Sequence, residues 1–161
     1  MSSERLVRSL VAGIDAALSG FRELVESVPE EALDWRPWPG ANSLTVLVHH
    51  SVSSTGFWLA AAAGEAPSLA AYREGPRAEA FAAQGVGAGA LGAALDELRR
   101  ALPSFIARLT GESLTATLRW PEDPSLSLTG ADALVRAYGH LREHLGHAEL
   151  TREAWRLQEL R

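Results

Sequence analysis

The sequence contains no cysteine and no lysine. The first absence excludes disulfides, thiolate metal sites, cysteine-bound iron–sulfur clusters and a cysteine nucleophile, so any metal must be held by nitrogen or oxygen. The second excludes Schiff-base and lysine-base mechanisms. Positive charge is scarce: fifteen arginines stand against 20 acidic residues, a net charge of -5 at pH 7. Nucleic-acid recognition normally needs a basic stripe to neutralise phosphates, so no nucleic-acid partner is expected. Long apolar runs are also missing, and none approaches the ~18–20 residues of a membrane span, so no membrane partner is expected. The start, Met1-Ser2-Ser3-Glu4-Arg5, carries an acid and lacks the basic-then-apolar layout of a secretory signal. The expected location is the cytoplasm.

What is present fits one soluble globular domain over residues 1–161, with 47% apolar and 22% charged residues and enough length to bury a core. Apolar residues recur at helical spacing from Ser3 to Val28 (Leu6, Leu10, Ile14, Leu18, Phe21, Val25), which predicts a first amphipathic helix. The stretch Pro29 to Asn42 holds three prolines with Trp35 and Trp38, the composition of an ordered loop whose tryptophans pack on the body. Asn42 or Ser43 can cap a second helix that runs through Leu44, Leu47, Val48, Phe57 and Trp58 to Gly64. From Glu65 to about Val86 the chain is rich in Gly and Pro, with room for a short helical turn near Leu69 to Arg73. A connection of that length can cross the full height of a ~30 Å helix, so helices two and three are expected to be joined by a long crossover. A third helix is expected from Ala90 to Leu109, bent or divided by Pro103. Thr110 to Leu128 alternates only weakly, a pattern shared by a short hairpin and an irregular arm. A fourth helix is expected from Thr129 to about Leu157. Four such helices bury their stripes most simply as an all-α four-helix bundle.

All five histidines fall in two short windows: His49 and His50 on helix two, and His140, His144 and His147 on helix four. Residues four apart share a helix face, so His140 and His144 can turn two imidazoles toward one cation. On a wheel with His140 at zero, His144 falls near 40° and His147 near 340°, while Ala137, Leu141, Leu134, Leu145 and Tyr138 span roughly 60–160°. The histidines thus border the core stripe. On helix two, His50 shares its face with Val46, Leu47, Ser54 and Phe57, whereas His49 falls with Thr45, Ser53 and Gly56, and His50 is the inward-facing choice. His50, His140 and His144 together would give three neutral nitrogen ligands with a coordination position left open, the form of a catalytic rather than a closed structural site. Zinc and nickel are the first candidates, since imidazole suits both. A single i, i+4 histidine pair is more often the mark of a solvated helix face or a satisfied polar edge; the second pair, with one member facing the core, is what adds weight to a metal. His147 could hydrogen-bond to a metal-ligating side chain, serve as an additional ligand or act as a capping donor. The five tryptophans could line a pocket mouth but suit core and loop anchors better.

The string His140-Leu141-Arg142-Glu143-His144-Leu145-Gly146-His147 resembles the closing motif of the DinB/YfiT-like superfamily of metalloenzymes: His, three residues, His, one residue, Gly. The string Leu33-Asp34-Trp35-Arg36-Pro37 through Pro39-Gly40-Ala41-Asn42-Ser43-Leu44 to His50 is similar to that family's opening motif, whose spacing also selects His50 over His49. The resemblance covers nearly the whole chain. It implies a DinB/YfiT-like four-helix bundle with a divalent metal on three histidines, often in a homodimer. Many relatives carry another polar residue where this chain has His147. Relatives include S-transferases and isomerases that use small bacterial thiols, so the resemblance implies a small-molecule substrate and a low-molecular-weight thiol as cosubstrate. A metal-dependent hydrolase and a non-catalytic metal-binding or dimerisation bundle are the alternatives. Beyond the motif, Glu149 and Arg152 lie near 180° and 120° on the wheel. As candidate catalytic residues they could pair with each other, with Arg152 suited to an anionic substrate.

Overall fold

The computed structural model describes residues 3–65 and 67–159. Its elements in chain order are α1 (Ser3–Glu26), α2 (Glu30–Leu33), α3 (Leu44–Ala62), α4 (Leu69–Glu74), α5 (Pro76–Ala82), α6 (Ala88–Ile106), α7 (Gly111–Thr115), β1 (Thr117–Trp120), β2 (Asp123–Thr129) and α8 (Gly130–Glu159). The long helices α1, α3, α6 and α8 form the four-helix bundle. Helix α3 packs along α8 and α6, and α1 packs along α8 and α6. The crossover between α3 and α6 is built from α4 and α5, and α5 lies against α3.

Helices α3 and α8 begin or end where the sequence supplies the chemistry. Ser43 caps α3, its hydroxyl accepting from the Val46 N–H, which settles the choice between Asn42 and Ser43. The other end of α3 closes on Gly64 at φ +86°, with Gly64 N–H donating to Ala61 O and Glu65 N–H to Ala60 O, each at 3.0 Å. That is a Schellman arrangement, which requires a left-handed residue and so favours glycine. Helix α8 opens on a reciprocal pair in which Asp132 N–H donates to Thr129 Oγ1 at 3.1 Å and Thr129 N–H donates to Asp132 Oδ2 at 2.8 Å, satisfying two otherwise orphaned donors. Pro103 falls in the last turn of α6 and does not divide it, because so near the C-terminus few helical hydrogen bonds remain to be lost.

The core runs through all four long helices: Ile14, Leu18 and Phe21 of α1, Leu44 and Leu59 of α3, Leu91 and Leu95 of α6, and Leu134 and Leu141 of α8 are fully buried. Helix α3 is buried on nearly every face, polar Thr45, Ser51, Ser54 and Thr55 included, because neighbours cover it on several sides. Leu6 of α1 is 45% exposed, so the expected stripe meets the core from Leu10, which packs against it, and not from Leu6. The weakly alternating segment forms an antiparallel hairpin, pairing Thr117 with Thr129 and Leu118 with Leu128. It is pinned to the crossover by Trp120 Nε1–H, which donates to Pro67 O at 2.9 Å. Two expectations for the tryptophan loop divide: Trp35 packs edge-on against Trp155 at 5.6 Å, whereas Trp38 is 65% exposed and does not pack on the body.

Candidate metal centre

Helix α3 carries His50 and helix α8 carries His140 and His144, and the packing of these two helices brings the three imidazoles together. One ring nitrogen from each lies within 4.8 Å of the others. The ring centroids are 5.1 Å apart for His50 and His140, 4.9 Å for His50 and His144, and 4.3 Å for His140 and His144.

The protonation states favour a cation. Burial first, and then the neighbouring His144 and His140, push the His50 pKa down to about 4. Burial, followed by His140 and His147, likewise takes His144 down to about 4, and burial lowers His140 as well. All three rings are therefore neutral near pH 7, with a lone pair on each. Polar atoms of the cluster lack partners: His50 Nδ1 and both ring nitrogens of His144, one of which carries that ring's proton, are buried without a hydrogen bond. Unpaired polar atoms in a protein interior are costly, and a shared divalent ion would satisfy one lone-pair nitrogen on each ring. The donor set of three neutral nitrogens and no sulfur fits a divalent cation.

Ser54 supplies the orienting contact. Its Oγ lies 3.2 Å from His140 Nδ1 and makes a long contact of 3.5 Å to Ser51 O. With the hydroxyl proton directed to that carbonyl, Ser54 accepts from His140 Nδ1–H and leaves Nε2 as the ring's free lone pair.

The remaining sequence candidates lie elsewhere. His49 is outside the cluster, its Nε2 buried without a partner. His147 sits with its ring 5.5 Å from His144 but is exposed and lines a separate cavity of about 310 Å³. The expected Arg152–Glu149 pair does not form: Arg152 pairs with adjacent Glu153 at 3.0 Å, and Glu149 is exposed and makes no ion pair among the described residues. On α8 the neighbouring acid at 153 is simply within easier reach. Neither residue lines the cavity at the histidines.

That cavity, about 670 Å³ and open to solvent, is bounded by His50 and His140 and by groups that sequence reasoning missed. Arg73 and Arg77 reach it from α4 and α5, Arg136 and Glu143 from α8, and Tyr72 from α4. Arg136 and Glu143 were within reach of the same wheel that found the histidines, at about 320° and 300°. The crossover arginines carry no periodic signal.

Bundle topology, histidine spacing and length can be set beside known proteins. Residues 14–148 match the DinB superfamily. The chain belongs to that family. Two solved structures share the fold of this DinB-superfamily chain. YfiT from Bacillus subtilis, described as a probable metal-dependent hydrolase with an unusual four-helix bundle topology, is 18% identical with a TM-score of 0.69, covering 95% of this chain and 89% of that one. A conserved protein from Enterococcus faecalis is 17% identical with a TM-score of 0.71, covering 96% and 97%. No curated protein matches the sequence. Among the described residues of this DinB-superfamily chain, no helix is long and apolar enough to cross a membrane.

Proposed function

We propose that this DinB-superfamily protein is a divalent-metal-dependent enzyme that holds zinc or nickel on His50, His140 and His144. One observation carries the reading: three neutral imidazoles, His50 buried and His140 and His144 half-buried, converge beside an open cavity, with ring nitrogens of His50 and His144 unpartnered. A divalent cation supplies Lewis acidity, which makes a water or a thiol a competent nucleophile near neutral pH. The chain's own residues do the rest. Ser54 fixes the His140 ring, and burial keeps the imidazoles unprotonated.

Any thiol nucleophile must come from outside the chain. There is no cysteine, and the Ser54 hydroxyl is occupied by His140. Thiol-dependent S-transfer from a low-molecular-weight thiol to a small-molecule electrophile is the leading reaction class, supported by the motif resemblance and compatible with the absence of cysteine. Hydrolysis is the second, favoured by the description of YfiT. A homodimer belongs to the same proposal, supported by exposed Trp38, Leu150 and Leu157; a 17.2 kDa species at sedimentation equilibrium would remove it.

Metal analysis of untagged protein tests the site. Near-stoichiometric zinc or nickel is expected, and its loss in His144→Ala. Absence of metal, or unchanged content in the variant, overturns the proposal. Conjugation of a chlorinated arene by a panel of small thiols then tests the transferase; failure across the panel, with hydrolysis of activated esters retained, moves the assignment to hydrolase. Failure of both leaves a metal-binding bundle.

A further inference from the structure

The cavity above the histidines has more unused donors than acceptors. The Arg77 guanidinium lies 4.8 Å from the centre of the Phe81 ring and that of Arg136 lies 4.9 Å from the Trp58 ring. Among the described residues neither takes part in an ion pair, whereas Arg73 beside them is held by Asp123 at 3.1 Å. Stacking on an aromatic face keeps a guanidinium in place while leaving its N–H edges free to donate. The Tyr72 hydroxyl, near Ser53 and Ser54, is buried without completing a hydrogen bond. On the acceptor side, Asp132 is taken up by the Thr129 N–H and hydroxyl at 2.8 and 2.7 Å, which leaves Glu143 as the one lining carboxylate without a hydrogen bond among the described residues.

The charge follows the same direction. Of the three lining arginines Arg73 is paired with Asp123, so the unpaired positive charge of the wall is that of Arg77 and Arg136, in a protein whose net charge is -5. Arg77 lies near enough to the histidines to disfavour protonation of both His50 and His140, and Arg136 does so at His140. Apolar side chains also line the wall, among them Trp58 from α3 and Leu126 and Leu128 from the hairpin.

We propose that the cavity binds an amphiphilic organic anion, a sulfonate, carboxylate or phosphate ester on an apolar or aromatic body, whose anionic group is held by Arg77 and Arg136 while its body lies against Trp58, Leu126 and Leu128. Two guanidiniums with free edges meet a planar or tetrahedral anion with charge-assisted hydrogen bonds. A low-dielectric wall beside them strengthens that attraction. Calling this anion the substrate rests on the metal-dependent reading above; its binding does not.

Calorimetric titration tests it, with naphthalene-2-sulfonate as the anionic probe and methyl 2-naphthyl sulfone as its neutral counterpart, on chelator-treated and on zinc-loaded protein. The sulfonate should bind at least about tenfold more tightly than the sulfone in both forms, the weight of one charge-assisted hydrogen bond. In the Arg77→Gln, Arg136→Gln double variant that preference should fall to about threefold or less. Should the double variant fail to fold by circular dichroism, each single variant must by itself reduce the preference. Equal affinity for the two probes in the unsubstituted protein, or a preference that survives the substitutions, overturns the proposal. Zinc content measured on the same samples separates the two readings. Sulfonate preference without zinc keeps the anion site and removes the metal enzyme; zinc without the preference does the reverse.

Discussion

Ser54 Oγ and His140 Nδ1 are 3.2 Å apart, a hydrogen bond that joins α3 to α8 beside the other two imidazoles. It is the contact through which bundle packing becomes ring orientation. Ser54 is 2% exposed, so its hydroxyl has no water to compete for, and its position is fixed by a helix that is buried on most sides.

Replacing Ser54 by alanine is expected to weaken zinc binding by roughly 10-fold or more, the usual effect of removing a group that orients a metal-ligating histidine. The variant should fold normally, because alanine fits wherever serine does. Competition against a chromophoric chelator measures the affinity. An affinity equal to that of the unsubstituted protein would show that the His140 ring is set by packing alone.

The buried imidazoles make stability depend on pH with a definite sign. His50 and His144 have pKa values of about 4 in the folded chain against an ordinary value of 6.5, so between these limits the unfolded chain binds protons that the folded chain refuses. Stability of the metal-free protein should therefore fall as pH drops from about 6.5 toward 4, and it should be flat above about 7.5 as far as these groups are concerned. His49 and His140, also lowered by burial, act in the same direction. Thermal melts at pH 7.5, 6 and 5 sample this window before most carboxylates titrate. A melting temperature unchanged across it would mean that the histidines are hydrated rather than buried.

The long helices were legible because periodicity needs several turns to show, and α1, α3, α6 and α8 have them. Short α2 and α7 have no period to read; α7 is made by a local cap in which Thr110 and Ser113 exchange hydrogen bonds. The three clustered histidines were legible for the same reason as the helices: spacing on a regular element converts directly to direction. Trp38 was not, since aromatic residues among prolines say nothing about which side of a loop faces the body. Arg152 was chosen on the core arc of the wheel, whereas the arginines that reach the cavity are Arg136, on the histidine side of that wheel, and two residues of the crossover. Their placement depends on how α4 and α5 fold back over α3, which no local pattern encodes.

The glycines of α8 are separable by what surrounds them. A Cβ at Gly130 would stand 2.1 Å from Ser113 O and 3.1 Å from Leu114 Cα, both backbone atoms of α7, whereas at Gly139 and Gly146 nothing lies within 4 Å. Gly130→Ala should thus destabilise by at least about 1 kcal/mol, since α7 must move. Gly139→Ala and Gly146→Ala should each stabilise by about 0.5–1 kcal/mol, as alanine does over glycine in an open helix interior. Urea unfolding checks all three. A stabilising Gly130→Ala would mean that α7 does not pack on α8 as described.

Trp120 provides the last test, because it links the hairpin to the rest of the cavity. Its ring is 4% exposed and stands 5.9 Å from Trp58 and 6.2 Å from Phe57, while its Nε1–H holds Pro67 of the crossover at 2.9 Å. Phenylalanine at this position keeps most of the ring and loses the hydrogen bond, for an expected cost of about 1 kcal/mol. Alanine also leaves a cavity, and the cost should rise to about 3–5 kcal/mol. The histidines sit on α3 and α8, which pack directly on each other, so zinc affinity should survive Trp120→Phe even where binding of the aromatic sulfonate weakens with the displaced Leu126 and Leu128 wall. Loss of zinc in step with loss of sulfonate would instead make the hairpin part of the metal site's own support.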